Sequence, residues 1–281
     1  MTPDLSLSRR SFLATAAAAS LAPAAFSAGR YPLGLELYSV RDELQKDLNG
    51  TVTAVAKMGY ELVEFYSPYY AWTPDYTKQV RKLLNDLGIR CLSTHNGAEA
   101  FRAENLAKTI DLNGILGCRQ VVMASAGKVV GLDGWKGVAE TLNKAAGVMK
   151  PANLRPGFHN HGMEFQALEG SRPIDVLAQN TDKSVILQLD VGTCVQVGAD
   201  PVAWIQKNPG RFGSIHLKDY SPEPGKGYAV NFGEGAAPWK QIFQAVEATG
   251  GLEFYIMEQE VSKTPMEAVR ICLENFRKLH G

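Results

Sequence analysis

Ser214-Ile215-His216-Leu217-Lys218-Asp219 alternates apolar residues with polar ones and ends in charge. A period of two marks a strand with one face buried, so His216 and Lys218 point to the same side. The same design closes three other apolar runs: Gly157-Phe158-His159-Asn160-His161, Leu187-Gln188-Leu189-Asp190 and Tyr255-Ile256-Met257-Glu258. Polar side chains gathered at the ends of apolar strands are what a parallel barrel requires, because such barrels build their sites at the carboxyl ends of the strands.

Outward from these runs the pattern extends over the whole chain after Arg30. Strands are expected at Leu33 to Tyr38, Leu62 to Tyr66, Arg90 to Thr94, Gln120 to Ala124, Arg155 to Asn160, Val185 to Asp190, Phe212 to Leu217 and Glu253 to Met257. Amphipathic segments alternate with them: Thr51 to Met58, Tyr76 to Leu87, Ala100 to Leu116, Leu132 to Met149, Pro173 to Gln179, Pro201 to Lys207, Trp239 to Thr249 and Pro265 to Leu279. Eight such pairs predict an α/β protein, a single-domain (β/α)8 barrel. The alternative is a doubly wound open sheet, but no G-x-G-x-x-G follows the first strand and no Walker A motif occurs.

The chain has 281 residues, 45% of them hydrophobic, enough for one large buried core. Lys plus Arg and Asp plus Glu each number 29, so there is no basic surplus to neutralise a phosphate backbone, and nucleic acid is not an expected partner. The start departs from this composition. Ser8-Arg9-Arg10-Ser11-Phe12-Leu13 precedes an alanine-rich apolar run from Ala14 to Ala25. This is the form of a twin-arginine export signal, with cleavage expected after Ser27. The run is short for a bilayer core of about 30 Å. The expected division is residues 1–27 as signal peptide and 28–281 as barrel, with a periplasmic location and no membrane association after cleavage. Cys91, Cys118, Cys194 and Cys272 lie far apart in apolar contexts, and buried free thiols rather than disulfides are expected.

Four strand ends carry two imidazoles and two carboxylates: His159, Asp190, His216 and Glu258. A mixed nitrogen and oxygen set without thiolate suits one divalent ion, Mn, Zn, Co, Fe or Mg, with positions left open for substrate. For any one of these residues taken alone, a buried group satisfying a neighbour is the competing explanation. Four unpaired ionisable groups in one cleft would be costly without a cation.

At these strand ends, and over residues 31 to 280, the sequence resembles the sugar phosphate isomerase/epimerase family, the xylose isomerase-like TIM barrels. The resemblance is carried by Leu35-Glu36-Leu37-Tyr38-Ser39-Val40-Arg41-Asp42, Gly59-Tyr60-Glu61-Leu62-Val63-Glu64-Phe65, Ser93-Thr94-His95-Asn96, Phe158-His159-Asn160-His161-Gly162-Met163-Glu164-Phe165, Ile215-His216-Leu217-Lys218-Asp219 and Met257-Glu258-Gln259, in that order. It implies a metal held by a glutamate, an aspartate, a histidine and a glutamate from strands five to eight. Asp190, His216 and Glu258 match. His159 stands where relatives carry a glutamate that works as one of two opposed acid and base groups, so the symmetrical two-carboxylate scheme does not transfer. Thr193 stands where relatives place a histidine against substrate oxygens, so substrate preference is expected to differ from that of the ketose epimerases.

The resemblance implies abstraction of a proton next to a carbonyl and an enediolate intermediate on a small sugar, unphosphorylated or oxidised if the protein is exported. Reprotonation gives an isomer or epimer, and loss of a β-substituent gives a lyase or dehydratase. A non-catalytic sugar-binding protein is a further alternative. A nuclease-type barrel with several metal ions needs more than the five histidines present. Glu258 is the expected base and ligand. Glu164 is a candidate second acid or base, or the partner of a nearby cation. His161 contacts substrate or orients a ligand, and Lys218 stabilises the oxyanion or binds a substrate carboxylate. Glu64, His95, Asn96 and Thr193 are the expected substrate contacts, with Glu36 on the same wall. The run Tyr66-Ser67-Pro68-Tyr69-Tyr70-Ala71-Trp72 after strand two can stack on sugar rings or cap the barrel mouth.

Overall fold

In a computed structural model that describes residues 31–280, the chain closes a barrel of eight parallel strands in sequence order, with β1 pairing β8. The strands are β1 (Leu33–Glu36), β2 (Leu62–Phe65), β3 (Arg90–Gly97), β4 (Gln120–Ser125), β5 (Arg155–His159), β6 (Ile186–Asp190), β7 (Ser214–Leu217) and β8 (Phe254–Met257). Each falls on an expected apolar run. The expected export segment, residues 1–27, lies outside the described residues. Among those described, no helix is long and apolar enough to cross a membrane.

The helices are α1 (Arg41–Lys46), α2 (Leu48–Met58), α3 (Pro74–Leu87), α4 (Leu106–Leu116), α5 (Gly131–Met149), α6 (Pro173–Asn180), α7 (Val191–Gln196), α8 (Pro201–Lys207), α9 (Trp239–Thr249) and α10 (Pro265–His280). The helix expected over Ala100 to Leu116 starts later. Arg102 is extended, and the carbonyls of Glu99 and Ala100 accept from Asn105 Nδ2 and Thr109 Oγ1, so two 3-10 turns precede α4. These side-chain bonds compete with the helical ladder. The helices α1 and α7 were not expected, since each is only six residues long. The first strand stops at Glu36, where the chain enters a 3-10 turn over Leu37–Val40.

Inside the barrel the side chains are layered, apolar at the amino end and polar toward the carboxyl end. Leu62, Phe254 and Ile256 form the lower filling. Gly34 makes room for it: a Cβ there would lie 2.6 Å from Ile256 Cδ1 and 2.9 Å from Leu62 Cβ. Above this plug runs a hydrogen-bonded layer, in which Ser214 Oγ donates to Gln120 Oε1 at 2.7 Å and Gln188 Nε2 donates to Ser214 Oγ at 2.9 Å. All three side chains are buried. The polar floor of the barrel mouth therefore rests on a chain of side-chain hydrogen bonds, in which Gln120 Nε2 is buried without a partner.

The long segment between β7 and α9 is held down by Asp219. Its carboxylate accepts from the backbone N–H groups of Tyr220, Gly233, Gly235 and Ala237 and from Trp239 Nε1. Gly235 must be glycine for this wrap, because a Cβ would meet Asp219 Oδ1 at 2.1 Å. All four cysteines are buried and free, as expected, with Cys91 and Cys118 in van der Waals contact, Sγ to Sγ 3.4 Å.

Replacing Gly34 by Ala is expected to destabilise the protein by about 1–3 kcal/mol through overpacking of the lower layer. A guanidinium unfolding midpoint equal to that of the parent protein would refute this reading of the interior.

Candidate metal centre

Alternation along the strands aims one set of side chains at the barrel mouth: Glu36 from β1, Glu64 from β2, His95 from β3, His159 from β5, Gln188 and Asp190 from β6, and His216 from β7. Lys218 and Glu258 follow at the ends of β7 and β8. None is more than 8% exposed, so every charge among them must find its compensation locally.

Gln188 fixes the proton positions. Its Nε2 lies 3.1 Å from Glu64 Oε1 and 2.9 Å from Ser214 Oγ, so the amide nitrogen faces acceptors. Its Oε1 must then accept from His95 Nε2 at 2.7 Å and from His159 Nδ1 at 3.0 Å. Both histidines thus carry their proton on the nitrogen that faces Gln188. Burial, with the neighbouring His95 and His216, pushes the His159 pKa well below its usual value, so the ring is neutral. Its Nε2 lone pair is turned the other way, toward Asp190 Oδ2 at 3.7 Å. Burial likewise lowers the His95 pKa, against the opposing pull of Glu64.

His216 is of a different kind. Its Nε2 lies 2.7 Å from Glu64 Oε2 and its Nδ1 2.7 Å from Glu258 Oε2, with the ring fully buried. Burial alone would lower its pKa, but the two carboxylates outweigh this and raise it to about 10, so the ring is an imidazolium. For Glu64 and Glu258 burial is again the largest single effect and is again overcome. His95 and His216 hold Glu64, and Lys218 and His216 hold Glu258, well below the usual carboxylate range. Glu36 has no such cation. Burial and the Glu64 charge raise its pKa well above the usual value, and neither of its oxygens has a hydrogen-bond partner.

Lys218 Nζ is surrounded by carboxylates: Glu260 Oε1 at 2.7 Å, Glu258 Oε1 at 3.3 Å and Asp190 Oδ2 at 3.5 Å. Burial would lower its pKa, but Glu258, Asp190 and Glu260 hold it well above the ordinary lysine range. Asp190 divides its carboxylate between two tasks. Oδ1 caps α7 by accepting from Thr193 N at 2.8 Å, while Oδ2 is buried with no hydrogen-bond partner.

These facts test whether the residues fit a metal ion. A lone pair of a neutral imidazole faces a carboxylate oxygen that accepts no hydrogen bond and has the Lys218 ammonium 3.5 Å away as its cationic neighbour; a divalent ion between the two ligand atoms would relieve their repulsion. Ligand atoms of His159, Asp190 and Glu258 lie within 4.8 Å of one another, close enough to share one ion. The residues fit. Of the four expected ligands, three therefore come together in one set. His216 stands beside them, grouped with His95 and His159 and with Glu36, Glu64 and His95. Both of its nitrogens are engaged by carboxylates, and it can join the first set only by giving up the proton it shares with Glu258.

The cavity above this cluster has a volume of about 500 Å3, ordinary for a small-molecule site, and its wall includes Glu36, His95, Asn96, His159, His161 and Lys218. Thr193, Glu258 and Glu260 also reach it, whereas Glu64 lies beneath the wall against His216. The Asn96 amide is turned outward to the layer between the sheet and α4, accepting from Tyr69 Oη, which Asn113 of α4 also contacts, and donating to the Thr94 carbonyl. Thr193 Oγ1 is occupied by Asn160 Nδ2 at 3.0 Å. Glu164 does not face the cavity. Its carboxylate closes the turn by accepting from the His161 backbone N–H at 2.7 Å, which positions the exposed His161 ring at the rim.

Sequence reasoning did not assign roles to Gln188, Asn160, Glu260 or Asp219. A signal for Gln188 was present, since it lies two residues before Asp190 on the same face of the same strand. Asn160 ties the ends of β5 and β6 together, donating to the Asp190 carbonyl and accepting from the Asp190 N–H.

With this geometry in view, comparison with known proteins is informative. Residues 52–279 match the family model described as Xylose isomerase-like TIM barrel. An inosose dehydratase of Geobacillus thermodenitrificans is 24% identical over 84% of this chain and 91% of its own length. One from Clostridium tetani is 36% identical over 87 residues, which are 30% of this chain and 28% of that protein. Among solved structures, a sugar phosphate isomerase/epimerase from Parabacteroides distasonis superposes with a TM-score of 0.75 at 26% identity, covering 92% of this chain and 97% of the other. The IolI protein, solved with a zinc atom bound, superposes at 0.68 with 16% identity over 88% and 97% of the two chains, a likeness of fold. The chain belongs to the xylose isomerase-like TIM barrel family.

Proposed function

We propose that the protein is a metal-dependent sugar isomerase or epimerase that abstracts a proton next to a carbonyl and passes through an enediolate. The single observation that carries this reading is the neutral His159 imidazole aimed at Asp190 Oδ2, which accepts no hydrogen bond, beneath a sugar-sized cavity. His159, Asp190 and Glu258 would hold the ion, with His216 beside them. A divalent ion bound there supplies Lewis acidity to a substrate carbonyl.

The remaining roles belong to the chain's own side chains. Glu258 is ionised at neutral pH and lines the cavity, so it can accept the proton. A carboxylate flanked by Lys218 and His216 is a weak base, and it succeeds only if the oxyanion formed on the substrate is itself stabilised. The Lys218 ammonium, buried at the same wall, provides part of that stabilisation. Glu260 holds Lys218 in place, and Gln188 and Asn160 hold His159 and Asp190. His161 and Glu36 are left to contact substrate hydroxyls. The twin-arginine motif at Arg9-Arg10 supports a periplasmic site of action, and hence an unphosphorylated or oxidised sugar.

A second reading uses the same first step. If a hydroxyl on the next carbon leaves instead of a proton returning, the enzyme is a dehydratase, and the similarity to inosose dehydratases favours keeping it in view.

Three outcomes test this account. Purified mature protein is expected to carry a divalent ion, and Gln188→Leu is expected to weaken its affinity about 10–100-fold by releasing the His159 tautomer. Chelator competition giving equal affinity in Asp190→Asn and parent would contradict the ligand assignment. In D2O, unphosphorylated keto sugars are expected to gain deuterium next to the carbonyl, and Lys218→Met to slow that exchange about 100-fold or more. Mass spectrometry then separates an isomer from a product that has lost water. The third outcome concerns the metal-free protein. His216 has a folded pKa of about 10, above the ordinary 6.5, so its stabilisation is complete below pH 6.5 and is lost as the pH rises toward 10. The raised Glu36 pKa acts in the same direction. The thermal midpoint should therefore fall from pH 7 to 10, and His216→Gln should flatten the decline. A midpoint that rises over this interval would exclude the imidazolium.

A further inference from the structure

The aromatic run after β2 borders two cavities at once. Tyr66 lines the cavity over the metal centre and also a neighbouring groove of about 590 Å3. On the catalytic side it meets Tyr38 edge to face, ring centroids 5.3 Å apart. On the other side the groove continues to Trp72 and Tyr76, which form a second edge-to-face pair at 5.3 Å. Tyr38 and Tyr76 are the large aromatic side chains that remain exposed among the described residues, at 38% and 40%. They stand at the two ends of this path. Leaving two tyrosine rings in water along one track costs hydrophobic free energy that burial elsewhere would recover, so a ligand surface explains them.

The groove is not simply apolar. Its rim is built from the α1–α2 junction, where Gln45, Lys46, Asp47 and Asn49 are all exposed. An aromatic floor under amide, carboxylate and ammonium groups matches a pyranose ring, whose C–H face stacks on aromatic carbon while its hydroxyls bond outward. A purely apolar partner would leave this rim unsatisfied.

We propose that the groove is a second carbohydrate subsite, so that the substrate is a glycoside of at least two rings, one in the cavity over the metal centre and the next on Trp72 and Tyr76. This deepens the proposed function and rests on the reading that the cavity takes a sugar. The test is calorimetric titration of mature protein with glucose, galactose and fructose, and with the reducing disaccharides maltose, cellobiose and lactulose, in which one ring can still open to a carbonyl. At least one disaccharide is expected to bind about tenfold more tightly than its component monosaccharides. Tyr76→Ala should abolish that difference, and Tyr76→Phe, which keeps the ring, should preserve it. Tyr76 is exposed, so the variant is expected to fold, and Trp72→Leu provides an independent check. The subsite is overturned if no disaccharide exceeds its monosaccharides, or if the difference survives both Tyr76→Ala and Trp72→Leu. Absence of binding by every sugar overturns the sugar reading of the cavity as well.

Discussion

A buried carboxamide, Gln188, determines what the mouth of this barrel can do. Glu64 and Ser214 accept from its nitrogen, so its oxygen must face His95 and His159, and both rings must present an N–H to it. With that one orientation the free lone pair of His159 Nε2 faces Asp190 Oδ2. The same carboxamide anchors Glu64, which in turn grips His216. Removing it would not merely open a small cavity. It would leave Glu64 with a lost donor and allow His159 to turn its proton toward a carboxylate, erasing the arrangement that favours a cation.

The centre therefore contains two kinds of cation management side by side. One half is already neutralised by protons: His216 sits between Glu64 and Glu258, and Lys218 among Asp190, Glu258 and Glu260. The other half, His159 against Asp190 Oδ2, lacks a positive partner in hydrogen-bonding contact. Sharing Glu258 between the halves links them, so a metal entering at His159 and Asp190 would compete with His216 and Lys218 for the same carboxylate. Such coupling makes metal affinity depend on the proton inventory of the pocket.

Much of the fold was legible because parallel barrel strands are short, apolar and strictly alternating, and all eight lie where the sequence expects them. What was not legible follows from the same physics. Short helices such as Arg41–Lys46 and Val191–Gln196 hold too little periodicity to be seen, and the second exists partly because Asp190 caps it. At the site, the carboxylates and imidazoles stood out as ionisable groups on apolar runs, whereas Gln188 and Asn160 carry no charge and act through hydrogen bonds to residues 26 to 124 positions away in sequence; for example, Gln188 to Glu64 spans 124 and Gln188 to Ser214 spans 26. Glu164 shows the converse. Its spacing suggested an acid or base, but a local backbone N–H three residues away claims it.

The central claim is that His159 and Asp190 share a metal ion. Anomalous diffraction from crystals of the protein loaded with Mn2+ or Zn2+ addresses it directly. The account predicts a peak about 2.0–2.2 Å from both His159 Nε2 and Asp190 Oδ2, with Glu258 in reach. No peak at this position, at metal concentrations that load the protein, would contradict it.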